Sequence, residues 1–593
     1  MTPTPTANSR LPLRLGGFAS LREALDYAAQ GDTGVNFFDA RGALVATMTY
    51  RRLRALALAA ATRLRNAGLR PGDRVALVAD TSPEFLVLFY GCQYAGLVPC
   101  PLPYKAFPGA HEAYQSQLRL LLVATDARAV LAPSGVLAVV DEAAGASQAV
   151  LAFDAIVDTT ETSTEPVAAI ADEDRDAAAS PDDEALAYVQ FSSGSTAQPK
   201  GVLVSQRALM ANADAIARHG LRMHAHDRAC SWLPLYHDMG LVGFSVVALC
   251  GQRSVDYLAP TTFAARPLVW LRLMSAQATT IVYAPGFAWR LAAQRYRAED
   301  ALDLSALRIA GVGGDMVQAQ VLVECAQALA SSGFRLSAFQ PSYGLAEATL
   351  AVTMSDADSD PRIDRVICAM QADGTVVARH EPDEGASGMR DFVGCGRPLP
   401  GTEVRVENDR GQALPQRRIG RVWVRGPALM RGYQCANAGE RVLRDDGFLD
   451  TGDLGYFVDG ELFVTGRAKD LILVRGRNLW PQDVESLVER VAPLSAGDCA
   501  AIGIERDGEE TLVVLVQRRA TDSQSASDLQ QRLAAAISQA LGVAASIVFV
   551  PPRSLPYTSS GKLARARARG QYLAGVLGID TPPARKDNTE IPA

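Results

Sequence analysis

The chain has 593 residues, of which 48% are hydrophobic and 21% are charged, a balance typical of a globular protein with a buried core. A chain of this length is longer than the domains that a single hydrophobic core usually stabilises, so we expect a large domain with internal lobes and at least one smaller domain. The formal net charge of −7 argues against nucleic acid or an acidic membrane surface as the main partner. Scattered cysteines without a CxxC pair, and no apolar stretch of about 18 residues, predict a cytoplasmic protein without a zinc site, a disulfide framework or a membrane span.

The predicted elements of the amino-terminal half alternate between helix and strand. Apolar residues recur at helical spacing over residues 53–69, and a Pro-Gly-Asp turn then leads into a β-branched run. The segment SPEFLVLFYGCQYAGLVPCPL repeats this order. The pattern predicts an α/β fold with a largely parallel sheet. Residues 157–184, with ten acidic side chains against one arginine, are interpreted as a solvated excursion within that domain.

A domain boundary is predicted between Thr465 and Lys469. Beyond it, two strands joined at Asp507-Gly508 precede a helix with a capping box from Ser527 to Gln530. The helix is expected to bury one stripe and to end at a glycine: Leu529, Leu533, Ile537, Leu541 and Gly542. We therefore predict a large amino-terminal domain over residues 1–465, a small mobile α+β domain over residues 466–572, and a disordered tail over residues 573–593.

The segment FSSGSTAQPKG (Phe191 to Gly201) has the composition of a phosphate-binding loop. Five residues separate Gly194 from Lys200, and no hydroxyl residue follows the lysine, which excludes a Walker A motif. Glycines that allow close backbone approach and several hydroxyl donors could still hold an anion. The hydroxyl residues are Ser192, Ser193, Ser195 and Thr196. A flexible surface loop explains the composition equally well.

Five further segments carry candidate site residues. In PSYGLAEATLAV, Tyr343 and Glu347 would lie near one mouth if a loop enters a helix there. The ring suits adenine and the carboxylate suits magnesium. The remaining candidates are Asp453 in DTGDLGYF, Arg467 and Lys469 in GRAKDLILVRG, His237 and Asp238 in LPLYHDMGLVG, and Lys562 in PYTSSGKLARARAR. Each alone also fits an ordinary packed helix, turn, core histidine or solvated lysine.

Taken in order, these six motifs resemble those of the adenylate-forming superfamily, which includes acyl-CoA synthetases, luciferases and the adenylation domains of peptide synthetases. The resemblance covers roughly residues 35–570. Within the superfamily, GRAKDLILVRGRNLWPQDVE is most similar to fatty acyl-AMP ligases, with Trp480 in place of the usual tyrosine. A long span at about residues 353–392 resembles an insertion linked in those ligases to loss of coenzyme A use, although an ordinary surface loop is the alternative.

Two segments depart from the family pattern. Asp315 in VGGDMV stands where relatives often have a glutamate beside adenine, and GRVWV around Arg421 lacks a common acidic residue. These departures concern details of the nucleotide pocket. The implied fold remains a multi-lobed amino-terminal adenylation domain followed by the small mobile domain.

The resemblance implies an enzyme that uses ATP and Mg²⁺ to convert a fatty acid to acyl-AMP with release of pyrophosphate. The acyl group is then expected to pass to the phosphopantetheine thiol of a holo acyl carrier protein on a separate chain. The alternative is a fatty acyl-CoA synthetase, and a more remote one is a non-catalytic nucleotide-binding protein. The latter is expected to lack the lysine or the magnesium carboxylate, whereas this chain has Lys562 and Glu347.

The resemblance also implies a role for each candidate residue. Glu347 is expected to hold magnesium, Lys562 to bridge the carboxylate and the α-phosphate, and Lys469 to act as the hinge. The expected nucleotide-binding residues are Ser192, Ser193, Gly194, Ser195, Thr196, Lys200, Gly314, Asp315, Tyr343, Gly344, Asp453 and Arg467. The expected acyl-pocket residues are His237, Met239, Gly240 and Gly286, with His237 at the junction of the two pockets.

Overall fold

The computed structural model describes residues 11–104, 111–145, 148–159, 184–192, 199–371, 376–381, 389–434, 442–474, 477–492, 494, 497–506, 509–518, 523–557 and 563–577. Two compact units form, the first mainly from residues up to Thr465 and the second mainly from Gly466 onward. This division falls inside the segment in which the sequence predicts a domain boundary.

The strands of the first unit are β1 (Gly34–Phe38), β2 (Leu44–Thr49), β3 (Arg74–Ala79), β4 (Val98–Pro103), β5 (Ala129–Ala132), β6 (Ala149–Ala152), β7 (Leu186–Ser192), β8 (Lys200–Ser205), β9 (Arg228–Ser231), β10 (Ser254–Leu258), β11 (Ile281–Ala284), β12 (Ile309–Val312), β13 (Phe339–Gly344), β14 (Ala351–Met354), β15 (Ile363–Met370), β16 (Val376–His380), β17 (Met389–Val393), β18 (Arg397–Pro398), β19 (Glu403–Glu407), β20 (Arg418–Arg425), β21 (Gly432–Gln434), β22 (Leu449–Val458) and β23 (Glu461–Arg467), the last running two residues into the second unit.

Its α-helices are Leu21–Ala28, Tyr50–Asn66, Pro83–Ala95, His111–Thr125, Leu137–Ala143, Phe153–Ile156, Gln206–Ala215, Asp238–Gly240, Val247–Cys250, Pro260–Ala265, Leu268–Ala276, Gly286–Arg295 and Ala319–Ala328. Two of these helices continue into π-helical turns, Ile216–Gly220 and Leu241–Val246. Within the part of the chain that the structure describes, the helices are too short or too polar to cross a lipid bilayer.

A nine-stranded sheet forms the centre of the first unit, in the order β18-β14-β13-β12-β11-β9-β10-β1-β2. The run from β13 to β1 is parallel, and the outer strands β14, β18 and β2 pair antiparallel. β10 and β12 are buried along their whole length, as parallel strands are when both sheet faces are covered. A second, parallel sheet has the order β4-β3-β5-β6. The predicted α/β fold is confirmed.

The helix predicted over residues 53–69 is Tyr50–Asn66, so it starts and ends three residues earlier. It begins at Thr49, whose hydroxyl oxygen accepts a hydrogen bond from the Arg52 backbone N–H at 3.1 Å, as an N-cap residue does. The Pro-Gly-Asp turn contains Gly72 at a φ of +87°, a conformation that glycine adopts without strain. The excursion predicted over residues 157–184 lies mostly outside the described residues.

The described part of the long span at residues 353–392 contributes three strands to a sheet. Its strands β15, β16 and β17 join β20, β22 and β23 in the order β17-β15-β16-β20-β22-β23, with β19 paired to β20. Asp364 on β15 is buried and accepts hydrogen bonds from Arg417 at 2.9 Å and Tyr456 at 2.8 Å. This polar anchor ties the span to the strands that lead toward Asp453.

The second unit is α+β, with strands β24 (Ile472–Val474), β25 (Arg477–Leu479), β26 (Cys499–Arg506), β27 (Glu509–Gln517) and β28 (Ala545–Val550) and helices Pro481–Val491, Ser523–Leu541 and Arg565–Leu573. β26 and β27 form the predicted antiparallel pair, and β28 joins β27 in parallel.

The long helix of this unit begins at Ser523, four residues before Ser527, so the predicted capping box is wrong. Its buried stripe is centred on Leu533 and Ile537, which are fully buried, and Gly542 follows it at a φ of +67°. The first five residues of the predicted tail, 573–577, are folded, because Leu577 is buried in a second apolar cluster.

Asp227 anchors the amino-terminal ends of three neighbouring strands. It precedes β9 and accepts hydrogen bonds from Arg308, which precedes β12, and from the hydroxyl of Thr280, which precedes β11. Burial by itself raises the pKa of Asp227, but the bidentate Arg308 and the His224 backbone N–H outweigh it and hold the pKa below its usual value.

We predict that Asp227→Asn lowers the free energy of unfolding by about 3 kcal/mol at neutral pH, because it leaves Arg308 without its buried counter-charge. Since the folded-state pKa is depressed, this contribution is present above the unfolded pKa of about 4 and is lost as the pH falls through the lower folded value. Urea denaturation midpoints at pH 7 and below pH 4 test this, with Asp32→Asn, which removes an exposed ion pair, as the control. Equal midpoints for Asp227→Asn and wild type at pH 7 would refute it.

Candidate active site

Several candidate residues of the first unit lie at or beyond the carboxyl ends of neighbouring strands. β13, β12, β11 and β9 are parallel and adjacent in that order, so their carboxyl ends share one edge of the sheet. Tyr343 is the last residue but one of β13, Gly314 follows β12, Gly286 follows β11 and His237 follows β9. Ligands of open α/β sheets bind beyond this edge. Four segments that the sequence singles out separately therefore meet along one edge.

The segment that carries Tyr343 and Glu347 is a hairpin, so the prediction of a loop entering a helix is wrong. β13 pairs antiparallel with β14, and Glu347 lies in the short 3₁₀ turn Ala346–Ala348 between them. A Cβ atom on Gly344 would lie 1.8 Å from the Leu350 carbonyl oxygen. Glycine is therefore required for this close approach of two backbones, which a helical reading of the pattern does not anticipate.

Thr349 reverses the chain directly after Glu347. Its φ of +67° and ψ of −58°, with the Leu350 N–H donating to the Ala348 carbonyl at 2.8 Å, form a three-residue γ-turn, a rare and strained geometry. Thr349 is fully buried, and its hydroxyl donates to the Ala428 carbonyl at 2.7 Å. Burial and this hydrogen bond hold a conformation that a β-branched residue seldom adopts.

Tyr343 and Asp453 form a hydrogen-bonded pair across 110 residues of sequence. The Tyr343 hydroxyl donates to Oδ2 of Asp453 at 2.7 Å. Asp453 lies on β22 and is largely buried, and its own N–H donates to the Thr451 hydroxyl at 3.1 Å. The structure thus brings together an aromatic ring and a carboxylate that the sequence predicts separately.

Glu347 pairs with Tyr433, a residue that the sequence analysis does not single out. The Tyr433 hydroxyl donates to Oε1 of Glu347 at 2.7 Å, and the Lys200 ammonium lies 4.7 Å from the centre of the Tyr433 ring, within range of a cation–π contact. Tyr433 is on β21, which pairs with β8 at the end of the FSSGSTAQPKG segment. A lone tyrosine 86 residues from Glu347 carries no motif signal.

Much of the FSSGSTAQPKG segment lies outside the described residues. This applies to Ser193, Gly194, Ser195 and Thr196, and to the side chain of Ser192. Its flanks are described: β7 and β8 pair antiparallel, and Lys200 is exposed at the start of β8.

Gly314 and Met239 are neighbours between the ends of β12 and β9. Gly314 has a φ of +77°, and a Cβ atom there would lie 2.9 Å from the Met239 methyl group. Asp315 is exposed and accepts a hydrogen bond from the Met316 N–H at 2.8 Å. Gly240 packs against backbone, since its Cβ would lie 2.2 Å from the Pro234 carbonyl oxygen. Gly314 thus permits the close contact between the two loops, and Gly240 permits the close packing of the loop after β9 on itself.

His237 precedes the short helix Asp238–Gly240, and its ring lies 4.8 Å from that of Tyr236. Burial raises the pKa of Tyr236 to about 12. The Tyr236 carbonyl accepts a hydrogen bond from Gln190 on β7 at 2.6 Å. This bond connects the His237 loop to the strand that leads into the FSSGSTAQPKG segment.

Gly286 begins the helix Gly286–Arg295 and faces open space, because a Cβ atom there would meet nothing within 4 Å. Aromatic rings line the neighbouring region: Trp232 stacks on Phe263 with centroids 3.9 Å apart, and Phe287 contacts Trp232 edge-on at 6.4 Å. Trp232 and Phe263 are buried, whereas the Phe287 ring is exposed, so Phe287 is the ring of this group that is available to contact a hydrocarbon chain.

The remaining candidates belong to the second unit. Arg467 ends β23, and Lys469 lies in the 3₁₀ turn Ala468–Asp470; both are exposed. Lys562 lies outside the described residues.

The described residues contain no cluster of three or more histidine, cysteine, aspartate or glutamate side chains suited to a metal. A caged metal site is thus absent from that part of the chain. Mg²⁺ usually binds through one or two carboxylates together with substrate phosphates and water. Glu347, partly exposed and oriented through one of its two oxygens by Tyr433, fits this kind of site.

Comparison with known proteins places the chain among nucleotide-dependent enzymes. The family described as AMP-binding enzyme matches residues 32–434. A protein of Caulobacter vibrioides provisionally named acyl-CoA synthetase is 42% identical over 97% of this chain and 99% of its own. The medium-chain-fatty-acid–[acyl-carrier-protein] ligase JamA of Moorena producens is 30% identical over 94% of each chain.

Solved structures of related enzymes also match most of the chain. A chain from a study of fatty acyl-adenylate ligases from E. coli and L. pneumophila is 39% identical, with a TM-score of 0.86 over 95% of this chain and 99% of that chain. The structure of McyG A-PCP complexed with phenylalanyl-adenylate is 20% identical and shares the fold, with a TM-score of 0.80 over 96% of this chain and 86% of that chain.

We predict opposite outcomes for alanine at two glycines of this region. Gly286→Ala adds a methyl group into open space at a helix start and leaves the thermal midpoint at or slightly above that of wild type. Gly344→Ala places a methyl group against the Leu350 carbonyl and destabilises the hairpin or prevents folding. Differential scanning fluorimetry of the two variants tests this, and a lower midpoint for Gly286→Ala than for Gly344→Ala would contradict it.

Proposed function

The chain belongs to the family of AMP-binding enzymes, and we propose that it activates a fatty acid with ATP to acyl-AMP and transfers the acyl group to the phosphopantetheine thiol of an acyl carrier protein. The observation that carries the proposal is the pair of phenol-to-carboxylate hydrogen bonds at the sheet edge, Tyr343 to Asp453 and Tyr433 to Glu347. Both carboxylates are oriented beside the loops that follow parallel strands, where nucleotides bind.

The chemistry requires charge neutralisation above all. A free carboxylate is a poor acyl donor, because the oxygen that would have to leave is a poor leaving group. When the carboxylate attacks the α-phosphate of ATP, pyrophosphate is displaced and a mixed anhydride forms, from which AMP can leave. Two anions must approach in line, so catalysis depends on alignment and on preorganised positive groups. Lys200 at the start of β8 and Lys562 in the second unit supply positive charge.

We assign the nucleotide to the ends of β13 and β12. The Tyr343 ring stacks on adenine, Gly314, Asp315 and Gly344 shape its pocket, and Asp453 with Arg467 binds the ribose. Ser192, Ser193, Gly194, Ser195, Thr196 and Lys200 hold the β- and γ-phosphates. Glu347 holds Mg²⁺, which when bound offsets the negative charge of the phosphates.

We assign the acyl chain to the ends of β11 and β9. Open space at Gly286 and the aromatic rings beside it support this assignment, with His237, Met239 and Gly240 between the acyl chain and the nucleotide. Lys562 bridges the carboxylate and the α-phosphate. Lys469 is the hinge about which the small domain moves between adenylation and transfer.

Two observations favour a carrier protein as acceptor. Relatives named as acyl-carrier-protein and AMP ligases align over most of the chain, and the span at residues 353–392, whose described part forms strands of a sheet, resembles the insertion of fatty acyl-AMP ligases. The second candidate function is fatty acyl-CoA synthesis, which the name of the Caulobacter vibrioides relative favours. Both candidates share the first step.

The decisive experiment is mass spectrometry of the products formed from ATP, Mg²⁺ and dodecanoic acid, with coenzyme A in one reaction and holo acyl carrier protein in another. We expect acyl-AMP in both and thioester on the carrier protein alone. Lys562→Ala is the control and is expected to slow adenylation by about 10²-fold, as loss of one preorganised donor does. Acyl-CoA in the first reaction would make the protein a synthetase, and adenylation by Lys562→Ala at the wild-type rate would refute the role of Lys562.

Proline at Lys469 is expected to separate the two steps. Lys469 lies within a 3₁₀ turn, and residues of 3₁₀ turns ordinarily have a φ near the value that proline imposes, so we expect the variant to fold and to lose freedom at the hinge. We predict that Lys469→Pro keeps adenylation, measured by pyrophosphate release, and loses transfer to the carrier protein. Lys469→Ala, which removes the side chain but not the backbone freedom, is the matched control. Equal loss of both steps in Lys469→Pro would argue against a hinge here.

A further inference from the structure

Residues 428–434 contact both the turn that carries Glu347 and the strand that carries Lys200. The Met430 N–H donates to the Glu347 carbonyl at 2.8 Å, and the Arg431 N–H donates to the Leu203 carbonyl on β8 at 2.9 Å. The Thr349 hydroxyl donates to the Ala428 carbonyl at 2.7 Å. Backbone hydrogen bonds thus fix this short segment, which we name the bridging segment, to both partners.

One side chain of the bridging segment reaches both functional groups. Tyr433 pairs with Val202 in the register of β21 and β8, its hydroxyl donates to Oε1 of Glu347, and its ring faces the Lys200 ammonium. We propose that Tyr433 is a positioning residue that holds the Glu347 carboxylate in its metal-binding orientation and aligns Lys200 with it. The proposal rests on the proposed function, because it takes Glu347 as the magnesium ligand.

The geometry of the phenol suits this task. A hydroxyl that donates to one carboxylate oxygen removes rotational freedom from the glutamate side chain and leaves the other oxygen for the metal. Partners of this kind, which hold a ligand without touching the metal, typically affect metal affinity by about 10- to 100-fold. The negatively polarised face of the same ring attracts the Lys200 ammonium, so one residue sets two charges of opposite sign.

The turn beneath Glu347 is consistent with such a constraint. Thr349 adopts a γ-turn that is rare for a β-branched residue, and it is held there by a hydrogen bond to the bridging segment. Unusual backbone geometry persists where the surroundings fix it, and it is concentrated at ligand sites. The bridging segment therefore constrains Glu347 through its backbone and through its side chain.

The test is Tyr433→Phe, which removes the hydroxyl and keeps the ring that faces Lys200. We expect the Mg²⁺ concentration for half-maximal acyl-AMP formation to rise by about 10-fold or more. The maximal rate recovers at saturating Mg²⁺, and the KM for the fatty acid is unchanged. Tyr296→Phe, which loses a hydroxyl contact to Ser331 elsewhere in the first unit, is the control and keeps the wild-type Mg²⁺ dependence.

Metal binding is measured separately from activity by electron paramagnetic resonance of Mn²⁺ with α,β-methylene-ATP. This analogue cannot transfer its AMP group, because the bond between its α-phosphorus and the bridging carbon does not break. Tyr433→Phe is expected to bind Mn²⁺ about 10-fold more weakly than wild type in the presence of this analogue. An unchanged Mn²⁺ affinity and an unchanged Mg²⁺ dependence would overturn the proposal. So would a loss of rate that saturating Mg²⁺ does not restore.

A second pair of variants keeps the test open if Tyr433→Phe fails to fold. Thr349→Val keeps the shape of the side chain and loses the hydrogen bond to the bridging segment, whereas Thr349→Ser keeps that bond. We expect the weaker Mn²⁺ affinity in Thr349→Val alone, and identical affinities in the two variants would count against the proposal. Wild-type protein that forms no acyl-AMP at any Mg²⁺ concentration would refute the proposed function instead, while the Mn²⁺ measurement would still report on Tyr433.

Discussion

Backbone hydrogen bonds between parallel strands hold β11, β12 and β13 side by side, with Ile281 opposite Ile309 and Ala310 opposite Phe339. This pairing forces the loops that follow these strands to emerge at one edge, since parallel strands end in the same direction. The site depends on it, because its residues come from segments far apart in sequence. Asp227 reinforces the same alignment from the opposite edge, where Arg308 and Thr280 hold the strand beginnings together.

Close approach of backbones is the second constraint. A Cβ on Gly313 would lie 2.9 Å from the Ser342 carbonyl oxygen, and one on Gly344 would lie 1.8 Å from the Leu350 carbonyl oxygen. Glycine is therefore required at the first point for the ends of β12 and β13 to converge, and at the second point for the hairpin of β13 and β14 to close. In contrast, a Cβ atom on Gly286 would contact nothing within 4 Å. Glycine therefore allows close backbone packing at the β13 end of this edge and leaves open space at the β11 end.

Much of the fold follows from local pattern, because helical spacing and β-branched runs report burial directly. The helix Tyr50–Asn66, the α/β alternation and the antiparallel pair β26 and β27 are predictable for that reason. The hairpin at Glu347 is not, because a γ-turn at Thr349 depends on a hydrogen bond to Ala428, 79 residues away. The start of the long helix at Ser523 is also missed, because the sequence has two capping patterns, Thr521 to Gln524 and Ser527 to Gln530, and the pattern alone does not choose between them. Tyr433 could not be recognised at all, since a residue that acts through another shows no spacing relative to it.

The two phenol-to-carboxylate pairs also determine how local opening of the chain affects the two carboxylates. Tyr343 lies on β13 and Asp453 on β22, while Glu347 lies in the turn after β13 and Tyr433 on β21. In each pair, the tyrosine and the carboxylate belong to different elements. If β21 loosens, Glu347 loses its hydrogen bond from Tyr433, and if β22 loosens, Asp453 loses its hydrogen bond from Tyr343, while the central sheet stays intact. Short edge elements open at lower free energy than core strands, and β21 has three residues. The site is therefore expected to lose its geometry before the core of the protein unfolds. The arrangement of Glu347 and Lys200 depends most directly on the hydrogen bonds of residues 428–434.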